Sequence, residues 1–394
     1  LEYIWTDSDP STLKNTLNTR RYSTDEGWET AVRADDASGS RILSPRLVTD
    51  SSGNSLLVYA RASGSFGKTH TVWAQRRSSG ESAWSTPVNL SPSESYVAAP
   101  FIELKLTASG AAMAVWKTDA SLYSSRYDAV LGTWATRKKS ATLANNPYET
   151  PSLVVDDEGT ATAVTFDTSA QFCTLGQITG GEWTTGNTGW GYFLPDARRN
   201  VALAMDESGN QVACMNISNK LKCRTWAAGG GASATWSSAV EVSSSISGNF
   251  DVSAPISSSG KFVVAYLNSS GAIAATSYDP LTQTWDSEEV IDATGSYSGP
   301  YLQIKAAQDS AGQVFVAWGL DARASGSILS STRFADLMIA RKSGGSWSSP
   351  QTIDLESGVA ILHSLSVAPS GQAVVTWEQP GESGGNWIRT ALFQ

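Results

Sequence analysis

The chain has 394 residues, of which 41% are hydrophobic and only 16% are charged, and its formal net charge at pH 7 is −9. This charge argues against nucleic acid as a partner, because the phosphate backbone is bound through clustered lysine and arginine side chains. No uninterrupted apolar run is long enough for a membrane-spanning helix, so no membrane span is predicted.

The N-terminal residues 1–23 contain two strand-like runs, LEYIW and NTLNTRRYS. They read like the second and third strands of the repeat described below, and we predict them as extra strands whose position in the fold is open: an extra outer strand, or part of a module that precedes this domain. The next segment, residues 26–36, contains GWETAVRAD and has the pattern of a further strand.

From residue 44 onward the chain repeats a unit of four predicted strands, A to D. The first unit reads SPRLVTD, SLLVYARA, HTVWAQRRS and STPVNLS. A glycine-centred turn joins A to B, and a turn with a tryptophan joins C to D, at intervals of about fifty residues. The turn glycines are Gly53, Gly110, Gly159, Gly209, Gly260, Gly312 and Gly371. The turn tryptophans are Trp28, Trp84, Trp134, Trp183, Trp236, Trp285 and Trp347.

A repeat of this length that contains only strands predicts an all-β fold, a seven-bladed β-propeller with four-stranded antiparallel blades. The predicted blades are residues 44–92, 99–145, 150–190, 196–245, 249–293, 300–354 and 362–394. The last blade lacks a D strand, and we expect residues 26–36 to supply it and close the ring as one domain over 1–394. Most tryptophans recur at fixed repeat positions, which favours packing between blades, whereas Trp190 lies outside this pattern.

Cys214 and Cys223 lie on either side of a predicted two-residue turn, Ser218–Asn219. Counting outward from this turn places the two cysteines opposite each other as a non-hydrogen-bonded pair, within disulfide distance. A disulfide here is a candidate if the compartment is oxidising, and two buried thiols are the alternative. We expect a secreted or cell-surface protein.

The C–D turns SSGESAWSTPVNL, KSGGSWSSPQTI and GASATWSSAVEV resemble those of the sialidase-type propellers, the BNR or Asp-box family. The first strand pair, SPRLVTDSSGNSLLVYARAS, also resembles the opening pair of that family, and by position Arg46 would be its first carboxylate-binding arginine. The Asp of the motif is absent from these turns, and the family mostly has six blades. No nucleophilic Tyr–Glu pair or remaining arginine set can be assigned, so the resemblance implies the fold and not the activity.

No catalytic or metal signature stands out in the sequence. The chain has only two histidines, His70 and His363, and we expect His363 to be hydrogen-bonded in a structural role. The acidic turns VDDEGT, MDESGN and QDSAGQ lack the density of a calcium loop and indicate hairpin turns, so no cofactor or metal is predicted, with bound calcium as the weaker alternative.

Candidate ligand-binding residues come from two sources. The position seven residues before each turn glycine should line the axis, and it holds Arg46 and Glu103 in the first two repeats. Long D–A and B–C connections should mark the binding face. We predict a binding role for Arg46, Glu103, Trp190, Tyr192, Arg198, Tyr301, Asp321 and Arg323.

Three functions remain open. The first is a secreted, non-enzymatic propeller that recognises carbohydrate or a protein surface. The second is a sialidase-like glycoside hydrolase or lyase, because paired carboxylates need only spatial proximity. The third is a structural or adhesive subunit of an extracellular assembly. The repeats diverge outside their glycine, tryptophan and apolar positions, which favours one composite site over seven equivalent sites.

Overall fold

The computed structural model describes residues 2–8, 15–23, 27–35, 41–63, 69–91, 100–118, 121–142, 151–157, 159–167, 172–179, 182–187, 201–228, 236–244, 246–255, 260–293, 302–320, 337–354, 360–368, 371–380 and 386–393. These residues form eight antiparallel sheets and no helix, so none of them belongs to a helix that could cross a membrane. The all-β prediction is therefore confirmed. By its contacts the chain divides into two compact units, Leu1–Pro195 and Asp196–Gln394.

The first unit contains the first four sheets. The first sheet has β1 (Glu2–Ser8), β2 (Asn15–Ser23), β3 (Gly27–Trp28) and β4 (Val32–Asp35). The second has β5 (Arg41–Thr49), β6 (Ser55–Ser63), β7 (Thr69–Arg77) and β8 (Val88–Asn89). The third has β9 (Phe101–Leu106), β10 (Ala112–Lys117), β11 (Ser121–Asp128), β12 (Thr133–Trp134) and β13 (Lys138–Thr142). The fourth has β14 (Ser152–Val155), β15 (Ala161–Asp167), β16 (Phe172–Thr179) and β17 (Glu182–Asn187).

The second unit contains the remaining four sheets. The fifth has β18 (Val201–Met205), β19 (Gln211–Ile217), β20 (Lys220–Trp226) and β21 (Val240–Ser243). The sixth has β22 (Ile246–Ser253), β23 (Phe262–Asn268), β24 (Ile273–Asp279), β25 (Thr284–Trp285) and β26 (Glu289–Asp292). The seventh has β27 (Leu302–Gln308), β28 (Val314–Leu320), β29 (Met338–Ser343), β30 (Ser346–Trp347) and β31 (Gln351–Thr352). The eighth has β32 (Ile361–Val367), β33 (Ala373–Pro380) and β34 (Asn386–Phe393).

Six of the seven repeat glycines lie in the turn that follows the first strand of their sheets, as predicted. Gly53 has a φ of +84°, which only glycine adopts without strain, and its N–H donates to the carbonyl of Asp50 at 3.0 Å. The same turn hydrogen bond recurs at Gly110, Gly159, Gly209, Gly312 and Gly371. In the first of these turns the Asp50 carboxylate accepts the backbone N–H groups of Ser52 and Asn54. The acidic turns are thus hairpin turns, as expected.

Apolar side chains pack between neighbouring sheets within each unit. Val58 and Ala60 of β6 share a cluster with Ile102 of β9 and Trp116 of β10, all of them with no exposed surface. In the second unit, Leu267 of β23 packs in the same way with residues of the seventh sheet. The central strands of these sheets are buried almost throughout, which explains why they read as continuous apolar runs.

The predicted role of residues 26–36 is wrong. Strand β4 pairs with β2, with Leu17 opposite Asp35 and Thr19 opposite Val32, and β3 also pairs with β2. These residues therefore complete an N-terminal sheet with the runs whose position the sequence left open, and they do not supply a strand to the C-terminal sheet. Local pairing wins because a short connection costs less loop-closure entropy than a link between distant parts of the chain.

The predicted disulfide is present. Cys214 on β19 lies opposite Cys223 on β20, their Cα atoms are 4.1 Å apart, and the two sulfurs are bonded. The turn between them uses Ser218 and Asn219, both with positive φ. Both cysteines have no exposed surface, so the bond is part of the core of the fifth sheet.

Candidate functional site

A cluster of three charged side chains lies on the first strands of the second and third sheets. Strands β5 and β9 pack next to each other, and each is the A strand of its sheet. Arg46 Nε on β5 is 3.5 Å from Glu103 Oε2 on β9. Lys105 Nζ, two residues further along β9, is 3.5 Å from the other oxygen, Glu103 Oε1. We call Arg46, Glu103 and Lys105 the inner-strand cluster.

A β-bulge sets the direction of Arg46. In β5 the register shifts between Leu43, which is opposite Ala60, and Arg46, which is opposite Val58. Two residues of β5, Ser44 and Pro45, therefore lie opposite the single residue Tyr59 of β6, and Ser44 has a φ of +50°. Bulges of this kind bend a strand and redirect its side chains. The neighbouring Pro45 carbonyl accepts a hydrogen bond from Arg46 Nη1 at 3.1 Å, which restrains the guanidinium.

The alternation of β9 places Glu103 and Lys105 on the same side of the strand. Ile102 precedes Glu103, and Leu104 lies between Glu103 and Lys105. Both are buried in the hydrophobic cluster shared with the second sheet. Because successive side chains of a strand point to opposite faces, Glu103 and Lys105 point away from that hydrophobic cluster. The result is one carboxylate between two cations that come from neighbouring strands.

The electrostatics of the cluster favour an anionic or hydroxyl-rich ligand. Side-chain exposure is 38% for Arg46 and 20% for Glu103, and 49% for Lys105. Pairs this exposed add only about 0–1 kcal/mol to stability. Two cations against one carboxylate leave one formal positive charge, and the guanidinium can bind a further carboxylate in a bidentate manner.

The other predicted ligand residues are not tested by the structure. Trp190, Tyr192, Arg198, Tyr301, Asp321 and Arg323 lie outside the described residues. Of the eight predicted binding residues, the structure therefore describes Arg46 and Glu103, and it brings these two together.

His363 is hydrogen-bonded, as expected. It lies in a bulge of β32, and its Nε2 is 3.2 Å from Glu378 Oε2 on β33. The adjacent Ser364 Oγ lies 2.6 Å from Thr376 Oγ1. The described residues contain no group of three metal-ligating side chains close enough to hold an ion.

Lys105 and a second polar group, which lies between the first and second sheets, were not predicted from the sequence. Arg61 Nε of β6 lies 2.7 Å from Asp35 Oδ2 of β4, and its guanidinium lies 4.2 Å from the ring centre of Trp73. Asp35 is 5% exposed, so this group joins the two sheets. Lys105 was detectable, since a residue two positions from Glu103 on one strand shares its face.

Comparison with known proteins gives the fold and leaves the family open. No protein-family model matches the chain, and no curated protein sequence matches it.

Solved structures are similar at low sequence identity. The BP39L lectin from Burkholderia pseudomallei is similar over 90% of this chain and 95% of its own, with a TM-score of 0.51 and 11% identity. The NanB sialidase from Streptococcus pneumoniae is similar over 90% of this chain and 68% of its own, with a TM-score of 0.42 and 13% identity. An ulvan lyase of polysaccharide lyase family PL25 is similar over 68% of this chain and 78% of its own, with a TM-score of 0.45 and 12% identity.

The chain has a β-propeller fold. The resemblance to sialidase-type propellers holds at the level of the fold.

Proposed function

We propose that this protein is a secreted β-propeller that binds carbohydrate through the inner-strand cluster and does not transform its ligand. The observation that carries the proposal is the cluster itself. Arg46 and Lys105 flank one carboxylate at 3.5 Å, a separation longer than that of a close charged hydrogen bond. Their side chains stay partly exposed, so a ligand can reach them without unfolding the strands.

The chemistry of the cluster suits a sugar that carries a carboxylate. The sugar acid would pair with the Arg46 guanidinium and the Lys105 ammonium, while Glu103 would accept hydrogen bonds from ring hydroxyls. Rigid strands hold all three residues, which lowers the entropy lost on binding. The resemblance of the first strand pair to sialidase-type propellers, in which the matching arginine binds a carboxylate, supports the same assignment for Arg46.

Two further parts of the proposal have separate support. A bonded pair of buried cysteines is typical of oxidising compartments, which supports secretion or exposure at the cell surface. The second to eighth sheets each begin with an A strand and carry one of the seven repeat glycines. We therefore propose these seven sheets as the blades of the propeller. The BP39L neighbour is a lectin by name, and it supports the choice of a fold on which a lectin can be built.

A glycan array followed by calorimetry tests the proposal. We expect the purified chain to bind glycans with a uronate or sialate unit. Arg46→Gln should weaken this binding about tenfold to a hundredfold, because a charge-assisted contact is lost. Lys261→Gln is the matched control. Lys261 belongs to the sixth sheet and is not part of the inner-strand cluster. The substitution breaks its exposed pair with Asp286, whose charged atoms are 2.7 Å apart, and should leave binding unchanged.

Three outcomes would contradict the proposal. Binding that Arg46→Gln does not weaken would remove the cluster as the site. New reducing or unsaturated ends released from a bound glycan would favour the hydrolase or lyase over a binding protein. Absence of binding to any glycan would favour a protein partner or a structural subunit.

A further inference from the structure

A small cavity lies between the second and third sheets, beside their A–B turns. Its volume is about 170 Å³, and it is lined by Asp50, Asn54, Leu56, Arg76, Leu106 and Tyr127. Asp50 follows Arg46 by four positions, which corresponds to about 13 Å along an extended strand. The cavity is therefore separate from the inner-strand cluster.

At this cavity, one arginine of the repeat has different contacts from its equivalent in the next sheet. Arg76 and Arg126 are equivalent, since each lies eight residues before its turn tryptophan. Arg126 of the third sheet covers the A–B turn of the fourth, where its Nη1 donates to the carbonyl of Gly159 at 3.4 Å. A side chain at position 159 would overlap the Arg126 guanidinium. In that sheet pair the arginine lies against the glycine turn.

Arg76 takes a different path. Its Nη1 donates to the hydroxyl of Tyr127 at 3.3 Å, and its Nη2 donates to Ser78 Oγ at 3.1 Å. It passes so close to Gly132 that a Cβ at that position would lie 2.7 Å from Nη1. Arg76 is therefore turned toward Gly132, and it lines the space beside Gly110, the equivalent of Gly159.

The lining offers donors on one side and an acceptor on the other. A guanidinium has five N–H donors, and the two hydrogen bonds of Arg76 leave three of them. The Tyr127 oxygen accepts from Arg76, so its own hydrogen can be donated. Asp50 Oδ2 accepts from Asn54 Nδ2 at 2.8 Å, and its second lone pair remains available. The side chains of Leu56 and Leu106 add an apolar wall.

We propose that this cavity binds a single neutral sugar unit through its vicinal hydroxyls. A hydroxyl both donates and accepts, so it matches an arginine and a tyrosine facing a carboxylate. A small anion matches less well, because Asp50 offsets the charge of Arg76. The volume is below that of a typical drug-sized pocket, which fits one ring and excludes an oligosaccharide. The site does not depend on the inner-strand cluster.

Binding of methyl glycosides tests this site. The probes are the methyl glycosides of glucose, galactose, mannose and fucose, followed by saturation-transfer NMR and calorimetry on the full chain. We expect at least one to bind, and Tyr127→Phe should weaken it about three- to tenfold, since one hydrogen bond is lost. Arg126→Gln, at the equivalent position of the next sheet, should leave this binding unchanged.

Gly132→Gln is a second test variant. The backbone conformation at position 132 accepts a glutamine. The equivalent residue in the sixth sheet is Gln283, with a φ of +57° against +67° at Gly132. The new side chain should displace Arg76 and weaken binding as much as Tyr127→Phe does. No binding of any probe, binding that neither variant weakens, or preferential binding of acetate or inorganic phosphate would each overturn the proposal. Because the cavity and the inner-strand cluster have no residue in common, failure of either proposal leaves the other standing.

Discussion

Two buried tyrosines occupy the same repeat position, six residues after the turn glycine. The Tyr59 hydroxyl donates to Gln75 Oε1 at 3.0 Å. The Tyr266 hydroxyl donates to Glu288 Oε2 at 2.7 Å. Burial raises the pKa of both phenols well above 10, and the neighbouring carboxylates, Asp35 and Glu288, raise it further. Both side chains therefore stay protonated in the folded chain when free tyrosine ionises.

This protonation makes stability fall at alkaline pH. An unfolded tyrosine loses its proton near pH 10 while the folded one keeps it, so the free energy of unfolding decreases as pH rises above about 10. In Tyr266→Phe we expect a smaller decrease between pH 8 and pH 11, measured by urea unfolding at each pH. The variant should be less stable at pH 8, because Glu288 loses a hydrogen bond. An unchanged pH dependence would contradict this account.

At the residue scale, the sequence predicted two members of the inner-strand cluster, one from the second sheet and one from the third. Arg46 and Glu103 both lie seven positions before a turn glycine, so aligning the repeats placed them together. Lys105 was missed because that alignment compares sheets and not neighbours along one strand. The bulge that aims Arg46 depends on the register of β5 against β6, which the residue pattern of one strand does not contain.

At the scale of the strands, three of the turn tryptophans donate a hydrogen bond to the sheet that precedes their own. Trp84 Nε1 donates to Thr19 Oγ1 of the first sheet at 2.9 Å. Trp183 Nε1 donates to Ser124 Oγ of the third sheet at 2.7 Å. Trp347 Nε1 donates to Glu289 Oε2 of the sixth sheet at 2.8 Å. The expectation that these tryptophans pack between sheets is confirmed for these three.

A double-mutant cycle on Trp183 and Ser124 measures one of these links. We expect Trp183→Phe and Ser124→Ala each to destabilise the chain, and the coupling between them to be about 0.5–1.5 kcal/mol, the net value of one hydrogen bond. Urea unfolding followed by circular dichroism gives the three differences. A coupling near zero would mean that the indole contributes only through its buried area.

The strands themselves were predictable because their turns have strict requirements. A glycine turn after strand A and a tryptophan after strand C recur at intervals of about fifty residues, so the positions of A, B and C followed from the sequence. The assignment of residues 26–36 failed because a repeat pattern identifies a strand type and not its partner. The choice between a nearby and a distant partner depends on loop closure, which favoured β2.

At the scale of the molecule, a buried ion network ties the first sheet to the second. Glu2 Oε2 lies 3.1 Å from Arg21 Nε, and Glu2 Oε1 lies 3.2 Å from Arg77 Nη1, with side-chain exposures of 1% for Glu2 and 2% for Arg77. Ser55 Oγ also donates to Glu2. Glu2 and Arg21 belong to the first sheet, while Arg77 and Ser55 belong to the second.

Removing the charge of Glu2 should weaken the first unit. Glu2→Gln leaves buried arginines partly uncompensated, and we expect a loss of about 3 kcal/mol, at the low end for a broken buried pair because Glu29 still contacts Arg77. Urea unfolding measures the loss. Lys220→Gln removes an exposed ion pair in which Lys220 Nζ lies 2.9 Å from Glu241 Oε2. This variant should lose less than about 1 kcal/mol of unfolding free energy. Equal losses in the two variants would refute the structural role of the network.

The first strands of adjacent sheets pack in sequence order, β5 with β9 and β9 with β14 in one unit, and β22 with β27 and β27 with β32 in the other. Each such contact joins segments about one repeat apart, as in solenoid arrays, where stability is a sum of nearest-neighbour terms. Damage from a substitution should then stay confined to one sheet and its immediate neighbours. The same modularity would let evolution, or an engineer, exchange the surface of one repeat while the rest of the unit keeps its packing.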